Sequence, residues 1–206
     1  LLDIKIEKKN KKTKIYLCFS KKVNQSVAAT AVNSYEFVNN KLINKKILFV
    51  SNKPSSSSRH FGCRLAIKNS HIYATIGDRG KRNDAQNIRN HSGSVVRLLK
   101  NGVFLNNKAL KNSLPEIYSI GHRNPQGLTY NSDKSVLWLH EHGPQGGDEL
   151  NIISKGENYG WPKITFGKEY GSGKKIGIGT SKEGYKDPIK VWTPSIAPSG
   201  MIFYKG

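Results

Sequence analysis

An all-β fold is predicted for this 206-residue chain by three observations. Short runs of β-branched and aromatic residues recur along nearly its whole length, separated by clusters of Gly, Asn, Ser and Pro. No stretch sustains the apolar period of an amphipathic helix. Glycine (20) and proline (8) are plentiful beside 36% hydrophobic residues, a balance that suits a turn-rich sheet protein better than a helical bundle.

In chain order the strand runs are Lys14–Ser20 (KIYLCFS), Val27–Val38 (containing AATAVNSYEFV), Lys46–Val50 (KILFV), Arg64–Ile67 and His71–Ile76. Ser94–Leu99, Glu116–Ile120, Gly127–Tyr130, Val136–His140 and Leu150–Ile153 follow. Lys68, Asn69 and Ser70 join two of these runs as a hairpin, and NSDKS joins GLTY to VLWLHE as another. The two hairpins share a grammar and lie about 60 residues apart. Each ends in a loop rich in Gly and charge, GDRG at Gly77–Gly80 and EHGPQGGDE at Glu141–Glu149. Such repetition predicts a β-propeller, whose blades are four-stranded sheets around a channel. At roughly 45–60 residues per blade the chain would supply about four. Pro54–Ser58 reads as a local loop, and Lys163–Lys186, poor in strand signal, as a long excursion. One partial propeller over residues 1–206 is expected, truncated at both ends, with no internal domain boundary.

The net charge is +20, from 34 Lys and Arg against 14 Asp and Glu. Taken alone this points to nucleic acid, an anionic membrane or an acidic ligand. The lysines are scattered, however, through segments read as loops (Lys8–Lys14, Lys41–Lys46) and beside many Asn, and no aromatic residues interleave with them. A specific nucleic-acid site is therefore not expected. The charge would steer an anionic electron acceptor. No apolar run is long enough to span a membrane, and no export signal is visible. Cys18 and Cys63 fit no zinc spacing. A disulfide is open in an oxidising compartment, but two buried free thiols are the reading favoured.

Four clusters carry chemistry. His60 lies on a loop just before a strand, in RHFGCRL, and histidine suits a proton acceptor near neutral pH. A hydrogen-bonded surface histidine is the plainer reading. Asp78 is bracketed by glycines in TIGDRG, where an Asp often only stabilises a turn. Arg123 and Asn124 sit on a Gly- and Pro-held loop, suited to an oxygen-rich anion. The fourth cluster joins Glu141–Glu149 to Asn158–Pro162, where carboxylates and carbonyls suit a hard cation and Trp161 suits packing.

Together RHFGCRL, TIGDRG, SIGHRNPQGL, EHGPQGGDELN, NYGWP and WTPSIAPSGM, in this order, resemble the soluble quinoprotein sugar dehydrogenases, the glucose/sorbosone dehydrogenase family, particularly its aldose sugar dehydrogenase branch. The resemblance runs from about Lys14 to Gly206. It implies a six-bladed β-propeller of the quinoprotein glucose dehydrogenase type, binding pyrroloquinoline quinone (PQQ) and calcium (Ca2+). It further implies oxidation of aldose sugars at C1 to lactones, with hydride passing to the quinone. His60 matches the catalytic base. Arg123, Asn124 and, less firmly aligned, Gln86 match cofactor contacts. Gly143 and Pro144 match carbonyl donors to the active-site calcium. Glu149 and Tyr159 match a second, structural calcium, with Asp148 supporting the loop.

Two departures matter. Arg59 stands where the glucose-oxidising branch has an acidic residue, which points to broad aldose specificity. The opening blade and the later blades, with their further cationic contacts to the quinone, are expected to lie outside the chain. The family also implies a periplasmic location. The electron acceptor is not identified. The competing reading is a non-catalytic propeller that binds carbohydrate or a protein partner at the same rim.

Overall fold

A computed structural model describes residues 1–103 and 105–204. Twelve strands are found among them. They are β1 (Asp3–Lys9), β2 (Lys12–Lys22), β3 (Ala28–Val38), β4 (Lys41–Val50), β5 (Leu65–Lys68), β6 (His71–Ile76), β7 (Ser94–Leu99), β8 (Ile117–Ile120), β9 (Pro125–Asn131), β10 (Val136–Glu141), β11 (Asp148–Ile153) and β12 (Lys190–Trp192). A single 3-10 turn at Arg82–Gln86 is the one helical element among the described residues.

The strands form three antiparallel sheets of four, β1–β4, β5–β8 and β9–β12, each running in chain order. The first strands are neighbours, β1 beside β5 and β5 beside β9, so the sheets fan around a common axis as propeller blades do. The two hairpins with a shared grammar are the first two strands of successive blades. Three blades are found among the described residues where about four were expected. The loops 51–64 and 77–93 and the excursion 154–189 take the length of the fourth.

Period-2 alternation explains the packing. In the middle blade Leu65, Ile72, Ala74, Ile76, Val96 and Leu98 face the first blade, against Tyr16, Cys18, Val32 and Phe49. Their neighbours Ala66, Tyr73 and Val95 point the other way, against Leu128, Leu137, Leu139 and Ile153 of the third. Each fully buried Leu or Ile contributes about 1.5–3 kcal/mol. The middle blade is thus apolar on both faces.

Two expectations are corrected. Cys18 and Cys63 are not free thiols but a disulfide, with Cα atoms 6.3 Å apart and both residues fully buried. The sheet packing brings β2 against the residues leading into β5, a proximity no local spacing encodes. The lysine-rich segments are strand rather than loop. Lys8–Lys9 and Lys12–Lys14 pair across the β1–β2 hairpin, and Lys41–Lys46 belong to β4.

Candidate functional site

Because the strands alternate in direction, the connections after β4, β6, β8 and β10 emerge at one end of the blades. These connections carry His60, Asp78, Arg123 and Gly143 respectively. The excursion after β11 climbs beside β8, with Tyr159 N–H donating to Ile120 O at 2.9 Å, and then folds over this end. Between them lies a cavity of about 490 Å³ lined by residues that include Arg59, His60, Asp78, Arg123, Pro144 and Trp161. That size suits a small-molecule ligand.

His60 sits at φ +50°, a left-handed backbone that non-glycine residues rarely adopt. Its loop is clamped by Arg79, whose guanidinium donates to the carbonyls of Arg59 and Ser57 and lies 3.2 Å from the centre of the Phe61 ring. Burial pulls the Arg79 pKa down to about 10, against the opposing pull of Asp78. A Cβ on Gly77 would overlap the His60 carbonyl, so glycine there permits the close approach of the two loops.

Asp78 Oδ1 lies 2.7 Å from His60 Nδ1 and accepts Gly80 N–H, while Oδ2 accepts the Trp161 indole N–H at 2.7 Å. Both oxygens already accept, so the third neighbour, Nδ1, donates. The other ring nitrogen, Nε2, is left as the acceptor. Asp78 therefore does more than stabilise a turn. The turn-forming role is real, but Trp161 lies 83 residues away and sequence spacing does not show it.

Arg123 is buried and spans two sites. Its backbone N–H donates to Glu141 Oε2 at 2.5 Å, and Nη1 donates to the carbonyls of His142 (3.0 Å) and Gly143 (2.6 Å). Glu141 Oε1 meets His122 Nδ1 at 2.9 Å, and Ser119 lies 3.0 Å from the other His122 nitrogen. This buried relay, absent from the motif reading, holds the Arg123 loop. Asn124 and Gln86 do not line the His60 cavity. Asn124 Oδ1 accepts from Gln126. Gln86 is hydrogen-bonded to Asn158 and to the Trp161 carbonyl, so it supports a cavity wall.

A second, small void of about 10 Å³ lies beneath, bordered by Glu141, Gly143, Gly147, Glu149, Tyr159 and Trp161 among others. Room for about one water or small ion is the scale of such a void. Glu141 and Glu149 face each other directly across the β10–β11 ladder, an unfavourable pairing of like charges. Glu149 keeps part of its surface in solvent. Even so, the density of protein around its carboxyl, then Glu141, push its pKa up to about 8. The Tyr159 hydroxyl is engaged, donating to Ile152 O at 2.6 Å and accepting Ser154 N–H. Among the described residues no three His, Cys, Asp or Glu side chains converge as a metal cluster. Asp148 stays off the void and braces its rim, with Oδ1 accepting Gly143 N–H and Oδ2 accepting from Ser195, Ile196 and Ala197.

The residues fit the groups that the resemblance implies. Three arginines, Arg59, Arg82 and Arg123, are among the residues lining a cavity large enough for a flat polycarboxylate, beside Asp78 and Glu169. A hard cation beside Glu149 would offset the Glu141–Glu149 repulsion, and Tyr159 borders the same void. The Gly143 carbonyl is bound by Arg123 but retains a second lone pair.

Among the described residues no helix is long and apolar enough to cross a membrane. The Glucose / Sorbosone dehydrogenase family model matches residues 1–206. The chain is 38% identical over 199 residues to the aldose sugar dehydrogenase YliI of Escherichia coli, covering 93% of this chain and 53% of that protein. A glucose dehydrogenase crystal structure superposes with a TM-score of 0.89 at 37% identity, over 94% of this chain and 58% of the other. The PQQ-bound form of the aldose sugar dehydrogenase from Streptomyces coelicolor superposes with a TM-score of 0.69 at 29% identity, over 91% of this chain and 52% of the other. The chain spans about half the length of these relatives. With three propeller blades, a shared end carrying the motif loops and a match over its whole length, this chain belongs to the glucose/sorbosone dehydrogenase family.

Proposed function

We propose that these residues form part of a PQQ- and calcium-dependent dehydrogenase that oxidises aldose sugars at C1 to lactones. The observation that carries the proposal is the His60–Asp78 pair, 2.7 Å apart at the wall of a cavity lined in part by three arginines. A PQQ-bound relative of the same fold supports the cofactor. When bound, the quinone supplies the two-electron acceptor.

The chain's own residues bind, orient and move a proton. His60 Nε2 takes the proton of the sugar C1 hydroxyl, and Asp78 holds the ring and stabilises the imidazolium that results. Removing that proton raises electron density at C1 and favours loss of its hydride. Arg123 would offer positive charge where negative charge grows on the acceptor, and Asn124 beside it, off the cavity wall, would act through its bond to Gln126. Gln86 acts through Trp161. The carbonyls of Gly143 and Pro144 would hold an active-site calcium, and Glu149 with Tyr159 would hold a second. A partial propeller over 1–206, completed by further blades, is the domain organisation this reading requires. The buried Cys18–Cys63 disulfide supports an oxidising location such as the periplasm.

The test is reconstitution of the full-length protein with PQQ and calcium, followed by aldose-dependent reduction of an artificial dye. His60→Ala is expected to lose about 10²–10⁴-fold in rate. Near-full turnover by that variant would remove His60 from the role. Absence of both cofactor binding and turnover would favour the carbohydrate- or protein-binding propeller.

A further inference from the structure

Arg82 and Glu169 face the His60 cavity with opposite charge, and no motif above gives either a role. Arg82 comes from the 3-10 turn after β6, and Glu169 from the excursion 87 residues later. Their side chains meet fork to fork, Nη1 to Oε1 at 2.5 Å and Nη2 to Oε2 at 3.2 Å. A guanidinium presented in this way is built to hold a planar carboxylate. Both side chains are well exposed, at 44% and 37%, and such pairs are held only weakly. Arg82 has a second support, because its guanidinium lies 5.7 Å from the centre of the Trp161 ring. It therefore stays aimed at the cavity when its partner leaves. Glu169 rides on a tight loop, its N–H donating to Lys174 O and its carbonyl accepting Gly173 N–H.

We infer that Arg82 is a carboxylate-binding residue of this cavity and that Glu169 is an internal competitor for it, displaced when a ligand carboxylate enters. The inference rests on the cavity being the quinone and sugar site. The recognised chemistry is a carboxylate, which has two sources there: the quinone itself, or an acidic aldose of the uronic acid type. In either case Glu169 weakens binding of the carboxylate ligand and leaves a neutral one untouched.

Binding to the full-length protein tests this without turnover. Quenching of tryptophan fluorescence reads PQQ and its uncharged trimethyl ester, and calorimetry reads D-glucuronate and D-glucose. Glu169→Gln is expected to tighten binding of a carboxylate ligand by about two- to fivefold, the range of one exposed ion pair. Arg82→Gln should weaken the same ligand, and the double variant should show no gain over Arg82→Gln. A gain for PQQ but not its ester assigns the quinone as the source, and a gain for glucuronate but not glucose assigns the sugar. The inference is overturned if Glu169→Gln changes neither carboxylate ligand, if it changes the neutral counterparts equally, or if neither carboxylate binds at all. Failure of PQQ alone to bind the unmodified protein would sink the quinone reading of the cavity, and glucuronate would still decide the role of Arg82. Both substituted residues are surface-exposed, so the thermal unfolding midpoint is expected to be unchanged.

Discussion

Replacing Asp78 with Asn removes one charge and one acceptor from the carboxylate that ties His60 to Gly80 and Trp161. His60 Nδ1 and Gly80 N–H both meet Oδ1, whereas the Trp161 indole N–H alone meets Oδ2. The single amide oxygen therefore settles at the Oδ1 position and turns its NH2 toward the indole. Two donors then face each other in a buried place, which costs about 1–3 kcal/mol of stability. If the amide flips instead, its NH2 faces Nδ1, the ring proton must move to Nε2, and the base is lost. In both arrangements the imidazolium formed on proton uptake loses its negative partner. At a charge separation near 4 Å and an effective dielectric of about 20, that attraction is at most about 4 kcal/mol. A loss of roughly 30- to 1000-fold in turnover follows from about 2–4 kcal/mol. The assay is aldose-dependent dye reduction by the full-length protein with PQQ and calcium across pH, beside a urea unfolding curve. Turnover within threefold of the unmodified protein in a folded variant would refute the positioning of His60 by Asp78.

Asp148 supplies a second prediction. Burial alone would raise its pKa, but the hydrogen bonds from Ser195, Ala197, Gly143 and Ile196 outweigh burial and hold it below the usual carboxylate value. Its stabilisation is thus present above the ordinary carboxylate range and is lost as pH falls through the lowered folded value. Asp148→Asn should cost about 2–4 kcal/mol at pH 7 by urea unfolding, with the two proteins converging in strong acid. A constant gap down to the lowest pH would contradict the assignment. The disulfide closes a 45-residue interval, so Cys18→Ser should lower stability by about 2–4 kcal/mol. Dithiothreitol should bring the unmodified protein to the same urea midpoint, and a midpoint indifferent to reductant would count against the bond.

Sequence pattern is informative where packing is two-sided. β5, β6 and β7 read as strands because both faces of the middle blade are buried. It fails where the backbone ladder alone makes the strand. In β4 the first seven residues, Lys41–Ile47, are all exposed, so nothing selects an apolar alternation and the lysines read as loop. β1 is likewise charged along its length and pairs through backbone bonds, with Glu7 meeting Tyr16 and Lys100. At the site, His60, Arg123 and Gly143 were legible because short motifs carry them. Asp78 and Glu141 also lay in motifs, but their partners His60 and His122 were not legible, and Arg82 and Glu169, 87 residues apart, carried no signal. The Cys18–Cys63 bond was missed for the same reason.

The excursion 154–189 leaves the sheet and returns to it through only three paired residues of β12. It nevertheless delivers Trp161, Glu169 and Tyr170 to a cavity whose His60 stands on the connection between the first two blades and whose Asp78 stands on a loop of the middle blade. On the proposed reading, the proton-handling pair and part of the cavity wall are thereby carried by separate pieces of chain. Glu169 and Tyr170 sit where neighbouring glycines, Gly171 and Gly173, have open space around them, so this tip can change sequence without disturbing either core. On that reading a lineage could retune which molecules are admitted by editing exposed residues of this tip, while the His60–Asp78 pair is inherited unchanged.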